Sequence, residues 1–353
     1  MIWLTWRQFR ASAAMMAAAL AALAVVLVQT GPGLAEEYAT GIAACTSEGG
    51  DCSDFVDRFA YDNRGSGLAV TAVVLVLPAL IGLFWGAPLI ARELEAGTHR
   101  LVWNQSITRT RWLAVKLGLV GLAAITAAGL ASFAVAWWSD PIDKASVAAA
   151  QGTRMEPLLF LARGIVPIGY AAFALALGVT VGMLVRRTLP AMAITLAVFV
   201  ALQIAMPQLV RPHLVPPTRS NVEITTSNLD DFLMPQDDRI QVRATGDDAG
   251  AWVLSSHTVD ASGHAVDTIP ISTSSGPCAP PERPATQAPP GAGPGDELSP
   301  CLAELTRLGY RQQVTYQPSS RFWTLQWYET GIYTALALGL TGFCFWRLRH
   351  RLS

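Results

Sequence analysis

The sequence predicts an all-α polytopic membrane protein, with six transmembrane helices and a small α+β insertion between the fifth and the sixth. Three observations support this fold class. Hydrophobic residues make up 52% of the 353 residues and charged residues only 14%, whereas about 25% charged residues is usual in soluble domains. The mean hydropathy is +0.35. Six apolar runs reach the roughly 20 residues that a helix needs to cross a bilayer.

The six apolar runs are predicted to be the transmembrane helices. They are residues 11–29, 68–90, 112–138, 158–185, 189–209 and 327–346. The first run follows Arg7 and Arg10, as the core of a signal peptide would. It exceeds the roughly 7 to 15 residues of such cores, and no convincing cleavage site follows promptly, so we predict a retained span. Residues 1–10 should form a short interfacial helix with Trp3 and Trp6 on one face.

The distribution of Lys and Arg predicts that both termini are cytoplasmic. In that orientation the short inner segments carry twelve of the 25 basic residues and two acids, Glu93 and Glu95. The first outer loop, residues 30–67, carries two basic residues against seven acids. The insertion at 210–326 is then extracytoplasmic, and residues 347–353 form a cytoplasmic tail.

The insertion is predicted to combine strands with a short helix. Segments with strand-like composition are 239–244, 251–259, 264–272 and 312–316. Residues 260–263 suit a hairpin turn, and a helix should end near Leu308. Residues 276–300 are mostly Pro, Gly and Ala, which predicts an irregular loop. Both a passive lid and a domain that captures or gates a substrate are consistent with this pattern.

The cysteines support an oxidising compartment for the outer segments. Cys45 and Cys52 lie in the first outer loop, Cys278 and Cys301 lie in the insertion, and Cys344 lies in the last apolar run. Disulfides within each loop are the simplest of three connectivities, and four free thiols are the alternative. We expect no metal site, because neither a C-x-x-C pair nor a nearby histidine accompanies any of these cysteines.

The sequence argues against an enzyme. It contains no G-x-x-x-x-G-K-[ST] loop for nucleotide phosphates, no H-E-x-x-H pair and no G-x-S-x-G elbow. We therefore predict no catalytic residue, no cofactor bound by this chain and no nucleic-acid partner. The central thirds of the six runs carry no ionisable side chain, which also disfavours an ion-driven transporter.

Two glycine pairs are candidate helix-packing sites. Gly82 and Gly86 lie in the second run, and Gly178 and Gly182 lie in the fourth. The G-x-x-x-G spacing lets two helix backbones approach closely in lipid, although such matches arise easily by chance in an Ala- and Gly-rich chain.

A charged interval, residues 92–112, separates the second and third runs. Its first residues favour helix, and Gly97 is a suitable helix end. Thr98 can cap a second short helix whose Leu101, Val102 and Trp103 lie beside Arg100. From spacing alone, a plain basic loop is an equally good interpretation.

The same interval resembles ABC-2 type permeases, which are the membrane subunits of ABC exporters and are similar to type V exporters. The resemblance is carried by residues 92–98 (RELEAGT), residues 106–109 (SITR) and Lys116. The six spans, the inner termini and the large outer loop also fit the family. Residues 316–323 and 331–353 resemble an actinobacterial subgroup of these permeases, whereas the insertion is longer than in many members.

The resemblance implies that this interval docks on a separate ATP-binding subunit, which would bind ATP and Mg²⁺. The expected contact residues are Glu93, Glu95, Gly97, Thr98, His99, Arg100, Leu101, Val102 and Trp103. It also implies two permease copies, surrounded by lipid in a bacterial plasma membrane, that export a substrate the sequence does not identify. The alternative is a membrane-anchored sensor or assembly scaffold that binds through the insertion.

Overall fold

The computed structural model describes residues 2–47, 49, 52–97, 108–149, 152–226, 228–233, 239–246, 248–279 and 294–350. The chain forms two compact units. A helical unit comprises Met1–Val215 and Arg321–Ser353, and a second unit comprises Pro216–Ser320. In the described part, six helices are long and apolar enough to cross a membrane, which confirms the six predicted spans. The second unit lies between the fifth and sixth spans in the chain and contains the strands.

Among its described residues, the helical unit contains nine α-helical segments. They are α1 (Ile2–Ser47), α2 (Ser53–Leu80), α3 (Ala87–Glu95), α4 (Arg109–Ala148), α5 (Pro157–Phe160), α6 (Val166–Val185), α7 (Thr188–Ala205), α8 (Arg211–Leu214) and α10 (Phe322–His350). A π-helical turn at Ile81–Gly86 joins α2 to α3, and another at Met206–Val210 joins α7 to α8. Pro78 precedes the first turn and Pro207 lies in the second, and proline disrupts the regular ladder because it has no N–H.

The first two helices are longer than the sequence predicts. Residues 30–67 are not a loop, and residues 1–10 are not a separate helix, because α1 continues without a break to Ser47 and α2 begins at Ser53. The Cys45–Cys52 disulfide closes the turn, with Cα atoms 5.6 Å apart. The charges of this segment lie on helices that extend past the apolar run. The predicted first outer loop is thus largely helical, with a disulfide between the two helix ends.

The fourth apolar run is interrupted, although the sequence predicts one helix over 158–185. Helix α5 ends at Phe160, and α6 begins only at Val166. Gly164 adopts the left-handed φ of +70°, which glycine accommodates without strain, and Pro167 follows in the first turn of α6. An apolar composition conceals this break because hydropathy does not report backbone geometry.

The second unit contains seven strands and helix α9 (Pro294–Arg307) among its described residues. The strands are β1 (Thr218–Val222), β2 (Leu229–Leu233), β3 (Arg239–Ala244), β4 (Trp252–Val259), β5 (Ala265–Val266), β6 (Ile269–Pro270) and β7 (Arg311–Gln317). They form two antiparallel sheets, β1-β7-β4-β5 and β2-β3-β6. The predicted strands are confirmed, with 264–272 reduced to two short pieces.

The predicted turn after β4 is also present. The carboxylate of Asp260 accepts hydrogen bonds from the Ser262 hydroxyl at 2.6 Å and from the N–H groups of Ser262 and His264, each at 2.9 Å. The bonds from Ser262 and His264 hold the pKa of Asp260 below its usual value. This pattern fixes the turn that leads into β5.

The Cys278–Cys301 disulfide lies in the hydrophobic core of the second unit, where both cysteines are buried. Residues 280–293 of the predicted irregular loop lie outside the described residues. The rest of that segment is partly helical, because α9 begins at Pro294 and Cys301 lies within it. Ile240 of β3 and Leu305 of α9 pack in the same core, so the disulfide ties the helix to the sheets.

Removing this disulfide should destabilise the second unit. Cys278→Ser with Cys301→Ser opens a loop of sequence separation 23, and the gain in unfolded-state entropy is worth about 3 kcal/mol. We expect earlier proteolysis between residues 216 and 320 and a lower thermal midpoint. Cys45→Ser with Cys52→Ser is the matched control, because it should leave the cleavage of this unit unchanged. Equal cleavage of both variants would contradict the prediction.

Candidate functional site

The connection between the second and third spans begins at Gly97, the helix end that the sequence predicts, and Thr108 ends it. At the end of α3, the Ala96 N–H donates to the Arg92 carbonyl at 3.1 Å and the Gly97 N–H donates to the Leu94 carbonyl at 3.3 Å. Gly97 has a φ of +69°, which favours glycine at a helix end. Thr108 caps α4 by accepting the Arg111 N–H at 3.4 Å. We call this end of the helical unit the loop end.

Six of the predicted contact residues lie outside the described part of the chain. They are Thr98, His99, Arg100, Leu101, Val102 and Trp103. Their docking surface therefore stays a prediction. The other three, Glu93, Glu95 and Gly97, lie on the flank of the connection that leaves α3, where their contacts are defined.

Glu93 and Lys116 form a buried ion pair between α3 and α4. Their side chains are 14% and 4% exposed. The Lys116 ammonium also lies 3.5 Å from the Leu89 carbonyl oxygen and 5.0 Å from the centre of the Trp112 ring. A buried pair with additional partners has a defined geometry, and loss of either charge leaves the other uncompensated. The pair fixes the two flanks of the connection to each other.

Glu95 links the second span to the fifth. Its Oε2 accepts the backbone N–H of Thr188 at 2.9 Å and the Thr188 hydroxyl at 2.7 Å. The first N–H groups of a helix have no partner within it, so this carboxylate acts as a cap for α7 that another helix supplies. The flank of the connection is therefore attached to the second, third and fifth spans. We call these contacts of Glu93, Glu95, Lys116 and Thr188 the clasp.

A crevice of about 490 Å³ lies beside the clasp. Phe9 and Ser12 of α1 line one wall, and Trp85, Arg92 and Lys116 line the other. The Phe9 and Trp85 rings meet edge to face with centroids 4.7 Å apart. The first span therefore also packs against the helix that carries Glu93.

The predicted glycine motifs pack against each other. A Cβ added to Gly178 would lie 2.5 Å from the Gly82 carbonyl oxygen, and one added to Gly182 would lie 2.5 Å from the Ala87 carbonyl oxygen. A Cβ on Gly86 would lie 2.8 Å from the Leu175 carbonyl oxygen.

The fourth span is also the central helix, because 78% of its most apolar window is buried, against 39% or less in the other spans.

At the end of the helical unit opposite the loop end, side chains of the second, third and sixth spans form hydrogen bonds with the break before α6. Arg163 donates to both carboxylate oxygens of Asp143, at 3.0 and 3.2 Å, and to the Thr71 hydroxyl at 3.3 Å. The Ser132 hydroxyl donates to the Gly164 carbonyl at 2.7 Å. Thr71 belongs to the second span, whereas Asp143 and Ser132 belong to the third.

Gln326 of the sixth span completes these contacts. Its Oε1 accepts the N–H groups of Ile165 and Val166, each at 3.0 Å, and its Nε2 donates to the Phe160 carbonyl at 3.2 Å. One side chain thus caps the start of α6 and the end of α5. The bulk of Gln326 also requires glycine at 164, where a Cβ would lie 2.7 Å from its Oε1.

A fully buried ionic cluster joins the fifth and sixth spans at the same end. Arg211 donates to the two carboxylate oxygens of Glu329 at 2.8 and 3.0 Å, and the Tyr170 hydroxyl donates to Glu329. Both side chains of the ion pair are 0% exposed, and the guanidinium lies 4.1 Å from the centre of the Phe160 ring. Sequence reasoning missed this cluster, because it assigned Arg211 to the insertion. A carboxylate in the sixth apolar run was the available signal.

These features define a multi-pass membrane protein with a central helix and one connection fixed to three spans. Residues 17–211 match the family described as ABC-2 membrane transporter related, and the chain belongs to this family. No curated protein matches the chain, and no solved structure matches it. Membership in this family supports a transporter permease and implies an ATP-binding partner.

Proposed function

We propose that this chain is the membrane-spanning permease subunit of an ABC exporter, and that a separate ATP-binding subunit docks on the connection between the second and third spans. The clasp carries the proposal, because it attaches the flanks of that connection to the second, third and fifth spans. A force on the connection would reach all three spans without a flexible element between them.

In this mechanism the connection has two parts with different roles. Leu101, Val102 and Trp103 form the apolar docking surface, with Arg100 beside them. Glu93 faces Lys116 inside the helical unit, so we assign it to transmission rather than to the docking surface. Closure of two ATP-binding subunits would shift the permease between inward- and outward-open states through differential contacts in the two states.

The family match and the charge distribution support the remaining parts of the proposal. Both termini lie in the cytoplasm of a bacterial cell, and the second unit lies outside the plasma membrane. Two permease copies pair around the path in a lipid bilayer. ATP and Mg²⁺ bind to the partner, while this chain binds no nucleotide and catalyses no reaction itself.

Docking is tested by copurification of candidate ATP-binding subunits with the full chain. We expect Leu101→Asp with Val102→Asp to abolish recruitment, because two carboxylates in an apolar contact cannot be desolvated without a partner. Leu308→Asp is the matched control, because Leu308 is an exposed leucine of the second unit. If no form of the chain recruits an ATPase while a known pair does, a sensor or scaffold that binds through the second unit becomes the better hypothesis.

The Glu93→Gln variant tests whether Glu93 transmits movement to the spans or contacts the ATP-binding subunit, by measuring both recruitment and ATPase rate. We expect this variant to recruit the ATP-binding subunit as the wild type does, while the permease-dependent part of the ATPase rate falls at least roughly tenfold. The exchange of Glu93→Lys with Lys116→Glu should restore part of that rate, because it restores opposite charges. Loss of recruitment in a folded Glu93→Gln variant would assign Glu93 to the docking surface instead.

A further inference from the structure

The crevice beside the clasp lies at the level where the fourth span ends. A Cβ added to Gly182 of that span would lie 2.5 Å from the Ala87 carbonyl oxygen and 3.3 Å from the Ala91 Cβ. Pro88, which lines the crevice, lies between these two alanines in α3. Helix α6 ends at Val185, within one turn of Gly182. In a bilayer whose hydrocarbon core ends where this span ends, the crevice lies at the boundary between acyl chains and headgroups.

Most of the crevice lining is apolar. Six of its ten residues have apolar side chains: Phe9, Phe84, Trp85, Pro88, Leu89 and Ala96. Phe84 and Trp85 belong to the π-helical turn of the second span, and such turns are frequent at functional sites. A free anion has no apolar part that these walls could bury, whereas a lipid has one.

A row of exposed apolar side chains leads away from the crevice along the second span. Its members are Val73, Val76, Leu80 and Phe84. Their spacing of three or four residues places them along one side of the span. Phe84 also lines the crevice, so a lipid with its headgroup in the crevice could lay an acyl chain along this row.

The polar side of the crevice carries a net positive charge. Arg92 lies one turn beyond Pro88, is exposed, and forms no ion pair with the described residues. Glu93 and Lys116 neutralise each other, so Arg92 sets the charge of the lining. Further exposed arginines of the loop end are Arg7, Arg10, Arg111, Arg186, Arg187 and Arg349.

We propose that the crevice binds an anionic phospholipid, with its phosphate on Arg92 and an acyl chain along the apolar row of the second span. Basic pockets between membrane helices suit anionic headgroups, and a guanidinium can hold a phosphate through two hydrogen bonds. The Ser12 hydroxyl on the facing wall offers a further donor.

The position of the lipid would place it against the clasp. Arg92 directly precedes Glu93 in α3, and Lys116 is itself part of the crevice lining. The lipid would also fill the space between the first span and the helix that carries Glu93. The proposal rests on the membrane location of the chain and does not depend on the proposed ATP-driven function.

Native mass spectrometry of the full chain in detergent tests the headgroup. Dioleoyl phosphatidylglycerol is the anionic probe, and dioleoyl phosphatidylcholine, with the same acyl chains, is the zwitterionic comparison. We expect the anionic lipid to bind at least roughly tenfold more tightly, because only its headgroup has a net negative charge for Arg92. Equal affinities of the two lipids would overturn the proposal.

Two arginine variants locate the phosphate. Arg92→Gln should weaken phosphatidylglycerol binding at least roughly fivefold, because it removes the charge-assisted contact. Arg349→Gln is the matched control, because it removes the same charge at an exposed position of the loop end outside the crevice. It should change the affinity less than about twofold, since exposed charges are screened over short distances. Equal effects of the two variants would contradict the assignment to Arg92.

A second pair of variants tests the crevice without a change of charge. Ser12→Trp places an indole in the crevice and should also weaken binding at least roughly fivefold, because it occupies the space of the lipid. Ala14→Trp adds the same side chain at an exposed position of α1 and should leave the affinity unchanged. The proposal fails if millimolar inorganic phosphate displaces the lipid, which would indicate a site for free anions. It also fails if Ser12→Trp lowers the dimer fraction and leaves lipid binding unchanged, which would indicate that a second copy covers the crevice.

Discussion

Glu329→Gln should lower the free energy of unfolding of the helical unit by about 3–5 kcal/mol, because it leaves Arg211 charged and buried without its carboxylate. The guanidinium and the carboxylate are both 0% exposed, and two hydrogen bonds join them. Water cannot reach the arginine in the folded state to compensate. Thermal unfolding of the purified chain in detergent measures this loss of stability. The substitution should also reduce the yield of folded protein.

A double variant tests whether the unpaired charge of Arg211, and not the loss of the side-chain contacts, causes the loss of stability. Arg211→Leu with Glu329→Leu removes both charges together and should be far less destabilised than Glu329→Gln, because replacing both members of a buried pair by apolar groups is often neutral. Glu304→Gln is the surface control. Its pair with Arg307 lies on the second unit, where the Arg307 side chain is 70% exposed and that of Glu304 is 23% exposed, so little change in thermal midpoint is expected. A Glu329→Gln variant as stable as this control would show that the cluster does not hold the spans together.

Gly178→Ala should separate the second and fourth spans by several tenths of an ångström and destabilise the helical unit by about 1–3 kcal/mol or more. The added Cβ would lie 2.5 Å from the Gly82 carbonyl oxygen and 2.6 Å from the Ala87 N–H nitrogen. Both neighbours are backbone atoms of another span, so no side-chain rotation can relieve the contact. The yield of folded protein and the thermal midpoint in detergent measure the loss.

Gly339→Ala provides the comparison for this glycine. It makes the same chemical change in a transmembrane helix, but nothing lies within 4 Å of the added Cβ. The helix propensity of alanine should make this variant at least as stable as the wild type. If Gly178→Ala and Gly339→Ala had equal midpoints, the close approach of the two spans would not contribute to stability.

The sequence predicted the six spans because an apolar run of about 20 residues is a local property. Gly97 could also be predicted as a helix end, since capping depends on one or two residues. The break before α6 could not be predicted in this way. It depends on Gly164 and on the Gln326 side chain that caps both helix ends, and Gln326 is more than 150 residues further along the chain.

The ionic cluster and strand β1 were missed because they too depend on distant partners. Arg211 and Glu329 are 118 residues apart, so no local pattern joins them. Strand β1 was missed because its sequence is polar, and it is defined by its pairing with β7. The helical extension of α1 and α2 was missed for a different reason. Its charges suggested a loop, whereas a helix can continue past an apolar run into charged sequence, and the Cys45–Cys52 disulfide joins the two helix ends.

The break before α6 also sets the length of the central helix. Its 20 residues, from Val166 to Val185, span about 30 Å at 1.5 Å per residue, which equals the thickness of a bilayer's hydrocarbon core. By the same measure α1, with 46 residues, is about 69 Å long and extends well past that core. In a bilayer whose hydrocarbon core matches the central helix, Arg163 lies just before the first residue of that helix, and its pair with Asp143 lies at the boundary of the core. The interruption would therefore let the central helix span the hydrocarbon without carrying this charge into it.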